Sequence, residues 1–250
     1  MSFYDSSASK NNIKKILILM RHGEKIVKIG KIPKGGKFDS ELSPLGIKQS
    51  FLAGQKFISQ LKKFKFSDIS PSEIHIICSP YLRTLQTTSH FLKGIESLNY
   101  FNNNQELQNL YNISIDFGVR EILNENKLKK EEEIPKKFLN LLNNPNYEDF
   151  DEELKNLKIE FISKYEFPTE KENYFTCLKR CKKYIEEDLT NFVKTNKYKI
   201  IIIVSHSGPM MFLMRNLGFY EKNVKNILVS EQYYFDISEG IDKARFIEKV

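Results

Sequence analysis

Three short apolar runs restrict the folds open to this chain more than any other feature. They are Ile16-Leu17-Ile18-Leu19-Met20, Glu73-Ile74-His75-Ile76-Ile77-Cys78 and Lys199-Ile200-Ile201-Ile202-Ile203-Val204. Each has the length of a strand, and none shows the strict polar alternation of a strand with one wet face. Such runs belong in parallel sheets covered by helices on both sides. Helical patterns lie between them. Ser43-Pro44-Leu45-Gly46 offers an N-cap and a proline in the first turn, and Ile47, Phe51, Leu52, Phe57, Ile58 and Leu61 approximate the helical period. A second helix is expected after Pro80, a long one from about Asn173 to Lys194, and a last one from near Pro209 to a C-cap at Gly218. The order predicts a three-layer α/β/α sandwich with a mainly parallel central sheet. Ligands of such sheets collect beyond the carboxyl ends of the strands.

The expected organisation is a flexible N-terminal tail over residues 1–12 and a single domain over 13–250. The stretch at about 124–173 breaks the pattern, being rich in Lys, Glu and Asn and without a strong strand. It reads as a helical insertion or lid with too little apolar content for a core of its own. A net charge of +7 favours anionic partners without choosing among phosphate esters, RNA and lipid. Cys78, Cys177 and Cys181 suggest reduced structural thiols, and no set of His and Cys completes a zinc site, so no metal is expected. The N-terminus lacks a basic and apolar leader, and no apolar run approaches the roughly 18 residues that span a bilayer. A cytoplasmic protein without membrane partners is the expectation.

The chemistry sits at the strand ends. Two runs lead into histidine, in Arg21-His22-Gly23-Glu24 and Ser205-His206-Ser207-Gly208, and the third leads into Ser79-Pro80-Tyr81-Leu82-Arg83. In a parallel sheet these ends converge, bringing two imidazoles and the guanidiniums of Arg21 and Arg83 into one cleft with few evident counter-ions. An anion of two or three charges relieves that repulsion, and guanidinium matches phosphoryl oxygens in bidentate fashion. Gly23 and Gly208 leave room for close backbone approach.

In order and spacing, these motifs resemble the histidine phosphatase superfamily, which includes the phosphoglycerate mutases and many phosphatases. Arg21-His22-Gly23-Glu24 follows a hydrophobic strand, as that family's signature does. The segment Ser79 to Thr87 is similar to its S-P-x-x-R-x-x-Q-T motif, and Val204-Ser205-His206-Ser207-Gly208 to its third motif. Asp39, Leu42, Gly46 and Gln49 match its D-x-x-L-x-x-x-G-x-x-Q stretch. The resemblance implies a phosphoglycerate mutase-like fold and a phosphoric monoester hydrolase of the histidine acid type, with no cofactor.

Carried onto this chain, the resemblance implies that His22 attacks phosphorus while Arg21, Arg83 and His206 hold the phosphoryl oxygens. Lys25 is a further candidate phosphate ligand, or a solvated lysine. The attacking imidazole must be neutral, so a backbone carbonyl is expected on its other nitrogen. The proton donor is expected as a Glu in an L-x-E pattern. Leu123-Asn124-Glu125 fits that pattern better than the neighbourhood of Glu121, which makes Glu125 the favoured acid and Glu121 the alternative. Mutases of the family continue the first motif with Ser-x-Trp-Asn, whereas Lys25-Ile26-Val27-Lys28 stands here in a chain without Trp. The expected substrate is a phosphorylated small molecule or a phosphoprotein rather than nucleic acid. A phosphoglycerate mutase-type phosphotransferase and a catalytically weak phosphate-binding scaffold are the alternatives. The physiological substrate and oligomeric state are not readable.

Overall fold

The computed structural model describes residues 13–26, 39–66, 68–101, 111–122, 172–220 and 227–250, with 154, 157, 159–161, 163 and 165. The expected tail at 1–12 and nearly all of 123–171 lie outside the described residues.

A seven-stranded sheet organises the chain. Its strands are β1 (Ile16–Arg21), β2 (Ile74–Cys78), β3 (Asn112–Ile115), β4 (Ile159–Phe161), β5 (Ile200–Ser205), β6 (Gln232–Asp236) and β7 (Arg245–Lys249). The spatial order is β4-β3-β2-β5-β1-β6-β7. The first five of these run parallel; β6 is antiparallel to β1, and β7 to β6. The expected three-layer, mainly parallel sandwich is therefore present, with two antiparallel strands added at one side.

Alternation explains why the three founding runs are apolar throughout. Ile16, Ile18, Met20, Ile74, Ile76, Ile200 and Ile202 face one core, which they share with Phe57, Leu61, Phe91 and Leu92. Leu17, Leu19, Ile77, Ile201 and Ile203 face the other, against Cys177, Tyr184, Phe212 and Leu213. Successive side chains of a strand point to opposite faces, so a sheet with two cores needs apolar residues at every position.

The first core lies under α1 (Pro44–Lys63) and α2 (Leu82–Glu96). Ser43 caps α1 by accepting from Gly46 N, with Pro44 in the first turn, as the sequence predicts. These helices cross at two glycines. A Cβ on Gly54 would lie 2.0 Å from Phe91 O, and one on Gly94 would lie 2.0 Å from Phe51 O. The second core lies under α3 (Tyr174–Lys183), a π-helical stretch Tyr184–Leu189, α4 (Thr190–Thr195) and α5 (Ser207–Asn216). The long helix expected from about Asn173 to Lys194 is thus present, interrupted by π geometry. Gly218, with φ 80°, follows the end of α5. All three cysteines are buried and free.

One reading needs correction. The segment read as a helical insertion without a strand supplies β4, which extends the parallel sheet beside β3, and its Leu154 and Leu157 enter the first core. Three residues, Ile-Glu-Phe, are too few to show a period among the surrounding charges. Among the described residues, no helix is long and apolar enough to cross a membrane.

The helix crossing yields a prediction. Gly94→Ala gains about 1 kcal/mol of helix propensity, but the added methyl meets a backbone carbonyl that cannot move alone. A net loss of about 1–3 kcal/mol is expected from overpacking, measured as a lower urea midpoint. An unchanged or raised midpoint would show that α1 and α2 can part at no cost.

Candidate active site

The parallel strands deliver the site residues to one end of the sheet. His22 follows β1 directly, and His206 follows β5 as the residue preceding α5. Arg83 is the second residue of α2, reached from β2 through Ser79-Pro80-Tyr81. Glu121 is reached from β3 through the short 3-10 turn Phe117–Val119. Since β3, β2, β5 and β1 are consecutive neighbours, their carboxyl ends stand side by side.

His22 is buried, and its Nδ1 lies 2.7 Å from Gly23 O. A carbonyl can only accept, so Nδ1 carries the proton and Nε2 keeps its lone pair. Burial holds the imidazole well below the usual histidine range, followed by the charge of Arg83; the Gly23 bond opposes them, and Arg21 and Lys25 add to the lowering. The neutral form, with a backbone carbonyl on the distal nitrogen, is the state a nucleophilic imidazole requires.

Arg83 joins the two imidazoles. Its Nε donates to His22 Nε2 at 3.3 Å and its Nη2 to His206 Nδ1 at 3.0 Å, with the residue only 2% exposed. Nε2 of His206 lies 2.7 Å from Ser79 Oγ, which fixes the far side of that ring. Tyr81 backs the pair, with its ring 4.5 Å from the Arg83 guanidinium carbon and 4.9 Å from the His206 ring centroid. Glu121 Oε1 accepts from Ile122 N at 3.0 Å. This turns Oε2 inward, 3.5 Å from Arg83 Nη2 and 3.6 Å from His206 Nδ1. Asp39 Oδ1 stands 3.8 Å from Arg83 Nη1. The expectation of few counter-ions is therefore wrong, because Glu121 and Asp39 offset part of the buried charge.

Arg21 is half-buried and donates through Nη1 to Ile227 O. Its Nε has no hydrogen-bond partner among the described residues. Burial lowers its affinity for protons, with Glu121 acting in the opposite sense and Arg83 in the same one. Lys25 is exposed and lies where its charge reaches His22. His75 is buried within β2, where its Nε2 lies 2.8 Å from Ser114 Oγ.

The motif-like spacing around Asp39 turns out to be scaffolding for the first motif. Asp39 Oδ1 accepts from Leu82 N at 2.7 Å, capping α2 where Tyr81 provides no side-chain cap. Leu42 N donates to Gln86 Oε1 at 2.7 Å, and Gly23 N to Thr87 Oγ1 at 2.9 Å. Glu24 N donates to Gln49 Oε1 at 3.0 Å, while Ser43 Oγ donates to Glu24 Oε1 at 2.7 Å. Side chains at Gly23 and Gly46 would overlap the facing backbone, with Gly46 O 2.5 Å from the first Cβ and Glu24 O 2.1 Å from the second. These contacts press the His22 loop onto the start of α1.

The structure thus brings together His22, Arg83, His206 and Glu121, with Arg21 and Lys25 in electrostatic range. Glu125, the favoured acid, lies outside the described residues. The signal for Glu121 was present in Val119-Arg120-Glu121, which repeats the apolar-x-Glu spacing a short turn after β3. Among the described residues, no group of three or more His, Cys, Asp or Glu could hold a metal ion.

Comparison with known proteins adds a family. The model of the histidine phosphatase superfamily (branch 1) matches residues 17–228. Among solved structures, the chain is similar to ecdysone phosphate phosphatase from Bombix mori in complex with tungstate. The TM-score is 0.57 at 16% identity, covering 94% of this chain and 92% of that one. It also resembles phosphoserine phosphatase from Entamoeba histolytica in complex with 3-phosphoglyceric acid, at TM-score 0.49 and 20% identity, covering 94% and 96%. A mycobacterial glucosyl-3-phosphoglycerate phosphatase matches at TM-score 0.49 and 14% identity, covering 93% and 96%. No curated protein matches by sequence.

The buried neutral His22 predicts a pH dependence of stability. Its folded pKa lies below the unfolded 6.5, so the unfolded chain binds the extra proton as pH falls under 6.5, and stability drops. Asp116, pushed by burial up to about 6 from 3.8, acts in the opposite sense between those values. The comparison with His22→Asn separates them: urea midpoints should fall less between pH 7 and 5 in the variant than in the parent. Parallel losses in both proteins would contradict the assignment.

Proposed function

Because the chain belongs to the histidine phosphatase superfamily, we propose that it hydrolyses phosphomonoesters through a phosphohistidine on His22. The observation that carries this reading is a single buried guanidinium donating to both imidazoles, with Glu121 3.5 Å from it. A phosphoryl dianion entering there meets Arg83 and Arg21 as donors with His206 beside them, and Nε2 of His22 as a nucleophile with its lone pair available. The relative from Bombix mori is named as a phosphatase and holds tungstate, an oxyanion of phosphate-like charge and shape. At 16% identity it supports the fold and leaves the substrate open.

In the first step, His22 Nε2 forms a bond to phosphorus as the ester P–O bond breaks. Glu121, protonated at Oε2, gives its proton to the departing oxygen. In the second, the Glu121 carboxylate takes a proton from water, the resulting oxygen attacks phosphorus, and the P–N bond returns its electron pair to His22. Arg21 and Arg83 stabilise charge on the equatorial oxygens in both steps, where fixed donors help most if aimed at the transition state, and His206 joins them when its Nδ1 takes up a proton. Lys25 contributes charge at the rim. Glu121 replaces Glu125 as the preferred donor because its carboxylate already adjoins both phosphate-binding groups. Lys25-Ile26-Val27-Lys28 in place of the mutase continuation, and the lack of Trp, favour water as the final acceptor. The substrate class is a phosphorylated small molecule or phosphoprotein, and the site of action the cytoplasm.

Two variants test this. His22→Ala should lower turnover of p-nitrophenyl phosphate on the order of 10³-fold or more and abolish an acid-labile, alkali-stable phosphoenzyme in the parent protein. Wild-type turnover in that variant would overturn the mechanism. Glu121→Gln should lower kcat/KM on phenyl phosphate by about 10²–10⁴-fold, while 2,4-dinitrophenyl phosphate still forms the labelled intermediate, which accumulates because its hydrolysis lacks the base. If Glu125→Gln shows that pattern instead, the donor is Glu125.

A further inference from the structure

Glu121 sits on an irregular segment, yet that segment is tied down more fully than most loops. Three successive buried carbonyls accept from side chains of other elements. Gly118 O accepts from Arg180 Nη1, Val119 O from Ser205 Oγ at 2.7 Å, and Arg120 O from Arg180 Nη2 at 3.1 Å. Asp116 Oδ1 accepts from Gly118 N at 2.7 Å, and a Cβ on Gly118 would lie 2.4 Å from the Tyr184 ring. Arg180, on α3, therefore grips the backbone on both sides of Val119, ending one residue before Glu121.

Arg180 is itself aimed by Glu172. Its Nε lies 2.7 Å from Glu172 Oε1 and its Nη2 2.9 Å from Oε2, a two-point contact that fixes the guanidinium plane. Arg120 Nη2 reaches the same Oε1 at 3.2 Å, so the loop holds Glu172 from its own side. Both arginines and Glu172 are buried. A buried ion cluster of this kind contributes little net stability against an apolar replacement, because desolvation offsets most of the attraction. What it supplies is a defined geometry, and that geometry ends at the carboxylate whose Oε2 faces Arg83 and His206.

We propose that Arg180, oriented by Glu172, is the positioning residue for the proton donor Glu121. The proposal rests on Glu121 being that donor. It separates Arg180 from residues that merely hold the fold, since a displaced donor harms proton transfer and leaves phosphate binding and attack intact.

The leaving group reads this out in the full-length protein. Loss of a correctly placed acid matters for phenyl phosphate, whose leaving group needs a proton, and far less for 2,4-dinitrophenyl phosphate, whose leaving group does not. Arg180→Lys keeps the charge beside Glu172 but cannot serve two carbonyls and a carboxylate together. It should lower kcat/KM, which reports formation of the phosphoenzyme, at least tenfold more on phenyl phosphate than on 2,4-dinitrophenyl phosphate, with the inhibition constant of inorganic phosphate within a factor of a few. Equal losses on the two esters, or no loss, would overturn the proposal. Should Arg180→Lys fail to fold, Glu172→Gln keeps the shape of the carboxylate, and the same split between esters is expected of it and decides the matter. Glu121→Gln run alongside distinguishes the two levels. If it lacks the split, the donor assignment has failed; if it shows the split and neither network variant does, the positioning role has failed.

Discussion

A guanidinium buried to 2% exposure is the constraint on which the functional end of this molecule depends. Arg83 can exist there because every direction around it supplies something: imidazole lone pairs, the face of Tyr81, and the carboxylates of Glu121 and Asp39. An isolated buried cation would cost several kcal/mol even after relaxation. Apart from Tyr81, which lies two residues away, each of those partners comes from a different part of the chain. The need to satisfy one side chain therefore fixes the relative placement of four loops, and the meeting of His22, His206 and Glu121 follows from the same arrangement.

Much of this was legible in the residues. The two-sided burial of β1, β2 and β5 follows from runs with no polar interval, and the convergence of their ends follows from parallel pairing. The placement of His22, His206 and Arg83 at those ends needed only the motifs. The N-cap at Ser43 and the neutral tautomer of His22 were also accessible, because each depends on neighbours in sequence. Strands with polar residues were not. Asn112-Ile113-Ser114-Ile115 and Gln232-Tyr233-Tyr234-Phe235-Asp236 carry too few apolar positions to announce themselves, and β4 is shorter than any period.

The carboxylates were the least legible part, for a physical reason. A histidine or arginine beside glycine at the end of an apolar strand is marked by local context. Glu121 is marked only by what its loop touches, through Arg180, Ser205 and Asp116, all distant in sequence or separated by a turn. Asp39 likewise acquires its meaning from α2, whose first amide it caps across 43 positions of chain. A spacing pattern could propose either residue, but only the folded contacts distinguish a carboxylate beside Arg83 from a solvated one.

The sheet order carries a consequence for how such a chain comes into being. β1, which leads into His22, pairs with β5 and β6, and both come from the last quarter of the sequence. β2 and β1 never touch directly; β5 must slide between them. A ribosome that has made everything up to residue 199 has therefore made a strand with no neighbours and a histidine with no pocket. Long-range pairing of this kind slows folding and leaves apolar strands uncovered while it waits. The growing chain thus lacks its completed site until the final strands emerge, and it is at that late moment that shelter from aggregation matters most.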